Sequence, residues 1–241
     1  MTSNAARGCD FPPLPNLANR AYKSERIEFR DTVAVIFEDR VAGGRSLAAH
    51  LMHLRDKDVV VVGLPRGGVP VAAEVAKALN APLDVILVRK LGVPSQPEFG
   101  MGAIGENGVR VLNAEVAQLA GVTADEIARV ELRERSELER RVERFRSGRE
   151  LVSLEGRVVI VVDDGIATGS TARAACQVVR AHGASYIVLA VPVAPRGWEQ
   201  DLVGVADEYV CVTASETFSS VGQFYANFTQ VTDDDVVSYL N

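Results

Sequence analysis

An α/β fold, with a central, mostly parallel, twisted sheet flanked by helices, is what this sequence predicts, and three observations predict it. The apolar runs Val59–Val62 and Val158–Val162 show no polar alternation, the pattern of strands buried on both faces. Each run leads into a Gly-bearing turn and then into a helical apolar period. Strand and helix keep alternating along the chain, and right-handed crossovers then place helices on both faces of one sheet.

The elements follow in order. Residues 1–30 are polar and carry the Pro-rich stretch FPPLP, so a loosely docked leading segment is expected. An α/β core is expected over 31–213. It opens with FEDRVAGGRSLAAHLMHLRD, an amphipathic helix presenting Leu47, Leu51, Met52 and Leu54, with His50 and His53 at its edge and no metal-like partner set. A strand over 58–65 precedes a helix over 69–80, whose inward positions are Val71, Val75, Ala78 and Leu79. Pro82–Leu91 reads as a second strand. Gly92–Gly108, rich in Gly and Pro, reads as a mobile loop or an irregular hairpin. A short strand over 109–113 leads into a charged helical insertion, 114–148. There Thr123 and Glu126 form a capping box, and Ile127, Val130, Leu138, Val142 and Phe145 approximate one face. Its acids and bases nearly balance, with favourable i,i+4 pairs such as Glu131–Arg135, so a solvated helix is expected rather than a nucleic-acid patch. The apolar stripe must cover something, either this domain or a second subunit in a homodimer. The core resumes with a strand over 157–164, a helix over 170–182 stopped at Gly183, a strand over 186–194, a helical segment over 196–203 and a strand over 208–213. Residues 214–241 form a small hood or tail holding Phe218, Phe224, Tyr225, Phe228 and Tyr239, suited to stacking on a planar ring or to pinning the last helix. The Asp233–Asp235 run lacks calcium-loop spacing and suits a helix N-cap.

Composition narrows the function. A net charge of −6 supplies no basic field for nucleic acid. Three cysteines, Cys9, Cys176 and Cys211, have neither metal spacing nor the number for a disulfide framework; the last two suit buried positions. No apolar run reaches the ~20 residues of a membrane span, and the first residues hold no signal-like apolar stretch, so a cytoplasmic protein is expected.

The chemistry concentrates in Val158–Ala172, VVIVVDDGIATGSTA. A loop at the carboxyl end of a parallel strand is where open α/β sheets bind ligands. Gly165 and Gly169 let backbone N–H groups turn inward, and Thr168, Ser170 and Thr171 add hydroxyls at a helix N-terminus, together a phosphate site. Asp163 and Asp164 would repel phosphate, but they suit vicinal ribose hydroxyls or a Mg²⁺ ion held through substrate oxygens. A sugar phosphate satisfies both halves. A triphosphate P-loop is excluded because no Lys or Arg lies between Asp163 and Thr171. A dinucleotide fingerprint is excluded by the spacing of Gly63–Gly68 and by the basic end, Arg89 and Lys90, of the following strand. That basic end suits phosphate or diphosphate. In the earlier turn Pro65 stiffens the entry, Arg66 brings a fixed charge, and Gly67 and Gly68 permit close backbone approach.

The segment DDGIATGST resembles the phosphoribosyl-diphosphate (PRPP) motif of type I phosphoribosyltransferases, and the strand–Arg-Gly-Gly–helix unit resembles the diphosphate loop of that family. The resemblance covers roughly residues 58–213 and points to the stand-alone bacterial members. It implies that Asp163 and Asp164 hold the ribose hydroxyls. It implies that Gly165, Ile166, Ala167, Thr168, Gly169, Ser170 and Thr171 wrap the 5-phosphate. Pro65, Arg66, Gly67 and Gly68 would bind diphosphate, with a strained or cis peptide presenting an N–H. It further implies a loop at Gly92–Gly108 that closes over the reaction centre, with Arg89 and Lys90 at its base and Glu98 as a candidate facing substrate or Mg²⁺. Arg89, Lys90 and Asp164 are then the expected catalytic residues, with PRPP and a small planar acceptor as partners and Mg²⁺ as cofactor. No stretch matches the family's known base-binding signatures, so the acceptor stays open, and a PRPP-sensing module without turnover is the alternative.

Overall fold

A computed structural model describes residues 36–146 and 148–241; the side chain of Glu98 lies outside what is described. The expected leading segment, 1–30, and Cys9 also lie outside the described residues.

Helix α1, Arg40–His50, begins at Asp39, whose side chain accepts from the Ala42 amide at 2.8 Å, a standard N-cap. It ends before a 3-10 turn, Met52–Leu54. Five strands follow the expected scheme in a wholly parallel sheet. They are β1 (Val59–Gly63), β2 (Leu83–Val85), β6 (Val158–Val162), β7 (Tyr186–Pro195) and β8 (Glu208–Ser215), in spatial order β2–β1–β6–β7–β8. Alternation assigns their side chains to two faces. Val59, Val61, Ile160, Val162 and Val188 pack with Leu47 of α1 and with Val71 and Val75 of α2 (Gly68–Leu79). Val60, Val159, Val161, Ile187 and Leu189 pack with Ala172, Cys176 and Val179 of α5 (Ser170–Ala181).

The region expected as one strand, Pro82–Leu91, divides in two. After β2 the Leu87 amide leaves the parallel ladder and donates to the Glu106 carboxylate at 3.2 Å. The chain then enters a separate antiparallel sheet, β3 (Val88–Val93), β4 (Gln96–Gly105) and β5 (Arg110–Leu112). Gly92–Gly108 therefore takes the hairpin alternative, and the strand expected over 109–113 belongs to this small sheet rather than to the core. After α3 (Ala114–Leu119), the long helix α4 (Ala124–Arg146) packs Ile127, Val130, Leu138 and Phe145 on Leu91, Met101 and Ile104, so its stripe covers the hairpin of its own chain. The capping box of Thr123 and Glu126 is present. Two charged residues of α4, Glu134 and Arg146, are buried, which the expectation of a solvated helix did not include.

The helical segment expected over 196–203 is a 3-10 stretch, Trp198–Leu202, entered through Gly197 at φ +76 and anchored by buried Trp198 and Leu202. Helix α6 (Asp233–Leu240) is capped by Thr232 with Asp235; the Asp run fills the first turn, where the helix dipole favours acids. Burial pushes the thiols of Cys176 and Cys211 up to about 12, consistent with inert packing residues. No helix among the described residues is long and apolar enough to cross a membrane.

Candidate functional site

Parallel pairing of β1 with β6 sets their two outgoing loops side by side at the carboxyl edge of the sheet. The Leu64 amide donates to the Val162 carbonyl at 2.9 Å, extending the ladder into the loops. Beyond it the peptide Pro65–Arg66 is cis. Gly67 and Gly68 then lie against the acidic pair. A Cβ on Gly67 would sit 2.0 Å from Asp164 Oδ2, and one on Gly68 would sit 2.6 Å from the Val162 carbonyl and 2.8 Å from the Asp163 Cα. The Gly-Gly turn is thus the space in which the Asp-Asp turn packs. Of the expected diphosphate residues, Arg66 reaches away, with Nη1 3.6 Å from Asp233 Oδ1 at the start of α6, and is half exposed.

Asp163 accepts the Asp164 amide at 2.9 Å on Oδ1. Burial, and then the adjacent Asp164 charge, push its carboxyl well above the ordinary carboxylate range. Asp164 is held differently. Arg40 Nε donates to its Oδ2 at 2.8 Å, and Tyr225 Oη donates to its carbonyl at 2.6 Å. Burial and the nearby Asp164 charge hold the Tyr225 phenol in its neutral form. No N–H among the described residues donates to Oδ1 of Asp164, and the raised Asp163 carboxyl shares a side-chain hydrogen bond with the Asp164 carboxylate.

The loop expected to hold phosphate, 165–171, follows. Amides from Ala167 to Thr171 have no backbone acceptor among the described residues, as expected at the opening of a helix. Gly169 adopts φ +71, a conformation open to glycine, and swings the chain into α5. Thr168 and Ser170 hydroxyls lie 3.3 Å apart. Ile166 departs from the expected donor role: its amide bonds the Val193 carbonyl at 3.0 Å and its side chain is buried, so it anchors the loop.

The two basic residues of β3 point to opposite faces, as strand neighbours must. Arg89 donates through Nε and Nη2 to Glu134 of α4, at 2.9 and 2.6 Å. Lys90 instead lines a cavity of about 330 Å³ between the hairpin and α5, together with Phe99, Asn113, Thr168, Ser170, Arg173 and Gln177. Of the expected catalytic residues, Asp164 lies against the Gly67–Gly68 turn, Lys90 lines the cavity beside Thr168 and Ser170, and Arg89 is committed to an ion pair. No group of three His, Cys, Asp or Glu residues able to cage a metal occurs among the described residues. His50 and His53 are exposed; His53 bonds Glu208 at 2.9 Å.

Sequence reasoning missed Arg40. It stands 124 residues before Asp164, and no local pattern marks it. Phe228, expected to stack on a planar ring or to pin the last helix, has its ring centroid 3.8 Å from the Arg40 guanidinium.

The fold and the paired loops define a phosphoribosyltransferase-type α/β domain. Consistent with this, the family model described as phosphoribosyl transferase domain matches residues 39–229. The chain belongs to that family. It is 57% identical over 206 residues to two Mycobacterium tuberculosis proteins, from strains CDC 1551 and H37Rv, each provisionally named a phosphoribosyl transferase. The alignment covers 86% of this chain and 46% of each relative, so the chain spans about half the length of the curated relatives it matches. The crystal structure of the protein TT1426 from Thermus thermophilus is similar over 86% of this chain and 98% of that one, with 42% identity and a TM-score of 0.81.

Proposed function

We propose that the protein is a Mg²⁺-dependent phosphoribosyltransferase, transferring the 5-phosphoribosyl group of PRPP to a small nucleobase-like acceptor with release of diphosphate. One observation carries this reading: the acidic pair and the Gly67–Gly68 turn pack directly on each other, next to the open amides of the α5 N-terminus. A ligand spanning them needs hydroxyls in the middle and phosphates at both ends. PRPP has that order.

In this reading the amides of Ala167–Thr171 and the hydroxyls of Thr168, Ser170 and Thr171 hold the 5-phosphate. Asp163 and Asp164 orient the ribose through its vicinal hydroxyls, fixing C1 toward the Gly67–Gly68 turn. The backbone of that turn balances charge that develops on the leaving diphosphate, joined by Arg66 once it swings from Asp233 and by Lys90 reaching from the cavity it shares with Thr168 and Ser170. No protein nucleophile is required; positioning and electrostatics supply the rate, as in phosphoryl transfer. The donor set fits Mg²⁺ held partly by substrate, because Asp163 and Asp164 offer hard oxygens but no complete cage, and a bound Mg²⁺ would neutralise diphosphate charge. Closure of the β3–β4 hairpin would exclude water from C1.

PRPP with Mg²⁺ should raise the melting temperature by mass action, and Asp163→Asn combined with Asp164→Asn should abolish that shift while the apo protein stays folded. Diphosphate release is then followed with a panel of bases and amines. Turnover with any of them supports the transferase; a thermal shift with no turnover across the panel favours a PRPP sensor. An unchanged shift in the double variant removes the ribose assignment.

A further inference from the structure

Asp164 is gripped at both ends, by α1 at its carboxylate and by the hood at its carbonyl. Its carboxylate takes Arg40 Nε at 2.8 Å, and its carbonyl takes Tyr225 Oη at 2.6 Å. Arg40 is itself fixed on three sides. Nη1 donates to the Thr229 carbonyl at 2.8 Å, the guanidinium lies 3.8 Å from the Phe228 ring centroid, and Phe228 stacks on Tyr225 at 5.2 Å. The Arg40 and Asp164 side chains are 11% and 14% exposed, so the pair is shielded from solvent screening. On its other side the Asp164 carboxylate abuts Gly67. Oδ2 is therefore held between Arg40 of α1 and the Gly67 turn, while Oδ1 takes no N–H donor among the described residues.

We propose that Arg40 is a positioning residue for sugar recognition, holding Asp164 by Oδ2 so that its other oxygen, Oδ1, meets a ribose hydroxyl, and that Phe228 with the Thr229 carbonyl sets the Arg40 guanidinium. The proposal rests on the PRPP reading above and adds a residue outside both loop motifs. The geometry suits arginine in particular. A planar guanidinium bonds a carboxylate edge and a carbonyl while stacking on a ring; a lysine ammonium supplies the charge without the fork. The alternative is a structural role, Arg40 simply tying the tail to α1. A structural tie would weaken all ligands together.

The test compares three probes on the full chain by calorimetry or thermal shift: inorganic phosphate, ribose 5-phosphate, and PRPP with Mg²⁺. Arg40→Met should weaken ribose 5-phosphate and PRPP by about tenfold to a hundredfold, the effect of losing a charge-assisted hydrogen bond. Phosphate binding should stay within about twofold, since the amides of the α5 N-terminus are untouched. Arg40→Lys should fall between wild type and Arg40→Met for the sugar ligands. Phe228→Leu, which keeps Arg40 but removes its ring, should weaken the sugar ligands by a few-fold and serves if Arg40→Met fails to fold. Equal loss for all three probes, or sugar binding at the wild-type level in a folded Arg40→Met, overturns the proposal. If the wild-type chain binds phosphate but neither sugar ligand, the PRPP reading itself falls, and this inference with it.

Discussion

Removing the guanidinium of Arg146, the buried last residue of α4, should cost a large share of the protein's stability. Arg146 closes α4 with its side chain 5% exposed and forms a fork with Glu106, Nε to Oε2 at 2.7 Å and Nη2 to Oε1 at 2.8 Å. Its Nη1 donates to Asp84 Oδ1, and Nη2 also reaches the Val85 carbonyl at 2.8 Å. Burial alone would lower the Arg146 pKa, but the bonds and charges of Glu106 and Asp84 outweigh it and raise it. Arg146→Met therefore strands two carboxylates that are 0% and 5% exposed. Breaking a buried ion cluster at one partner costs about 3–5 kcal/mol, a large part of the roughly 5–15 kcal/mol that folds a domain.

Urea denaturation followed by far-UV circular dichroism reads this directly. A loss of about 4 kcal/mol and a slope of about 2 kcal/mol/M shift the midpoint down by about 2 M. The compensated triple variant, Arg146→Met with Asp84→Asn and Glu106→Gln, should recover much of the loss, because no buried charge remains unpaired. A midpoint within about 0.5 M of wild type for Arg146→Met alone would refute the reasoning, showing that water or relaxation satisfies the carboxylates.

Three further outcomes are expected. Gly67→Ala drives a Cβ into Asp164 Oδ2 and should cost about 1–3 kcal/mol while abolishing the PRPP-induced thermal shift; a retained shift would mean that the two loops separate easily. Lys90→Ala should lower turnover by orders of magnitude with a smaller loss of PRPP affinity, whereas Arg89→Ala should mainly lose stability, because it leaves Glu134 with the exposed Arg133 as its remaining arginine; the reverse pattern in kinetics and melting would exchange their roles. Burial lowers the His182 pKa beneath its ordinary 6.5, and its buried Nε2 has no hydrogen-bond partner among the described residues. The folded state then resists protonation, so stability holds above pH 6.5 and declines below it. His182→Gln should flatten that decline in urea midpoints between about pH 7.5 and 5.5, and parallel profiles would exclude the histidine as its cause.

The parts of the fold and site that were legible in the sequence are those whose partners are near in the chain. Four valines in β1 and the Val/Ile run of β6 specify buried parallel strands by themselves. The Asp163–Thr171 loop is contiguous, so its carboxylates, glycines and hydroxyls can be read as one site. The hairpin was harder, because Gly92, Gly100, Gly102 and Gly105 dilute the alternation that would mark β3 and β4. Arg40 with Asp164, and Arg146 with Asp84, are separated by 124 and 62 residues, and no local pattern carries such pairings.

Helix α4 shows where local reasoning fails for a physical cause. Its buried positions Ile127, Val130, Leu138 and Phe145 define a stripe on which Glu134 also lies, four residues after Val130 and four before Leu138. A charge on an apolar stripe is costly unless a partner meets it. Here exposed Arg133 of the same helix bonds one carboxylate oxygen at 3.0 Å, and Arg89 arrives from β3 and commits its guanidinium to the other. Strand alternation then leaves Lys90 as the β3 cation on the cavity beside the phosphate loop. The misplaced acid on the helix and the division of labour between the two strand cations are thus one fact. A charged residue at a stripe position is a sign that another segment must supply its counter-charge, and finding that segment decides which neighbour faces the site.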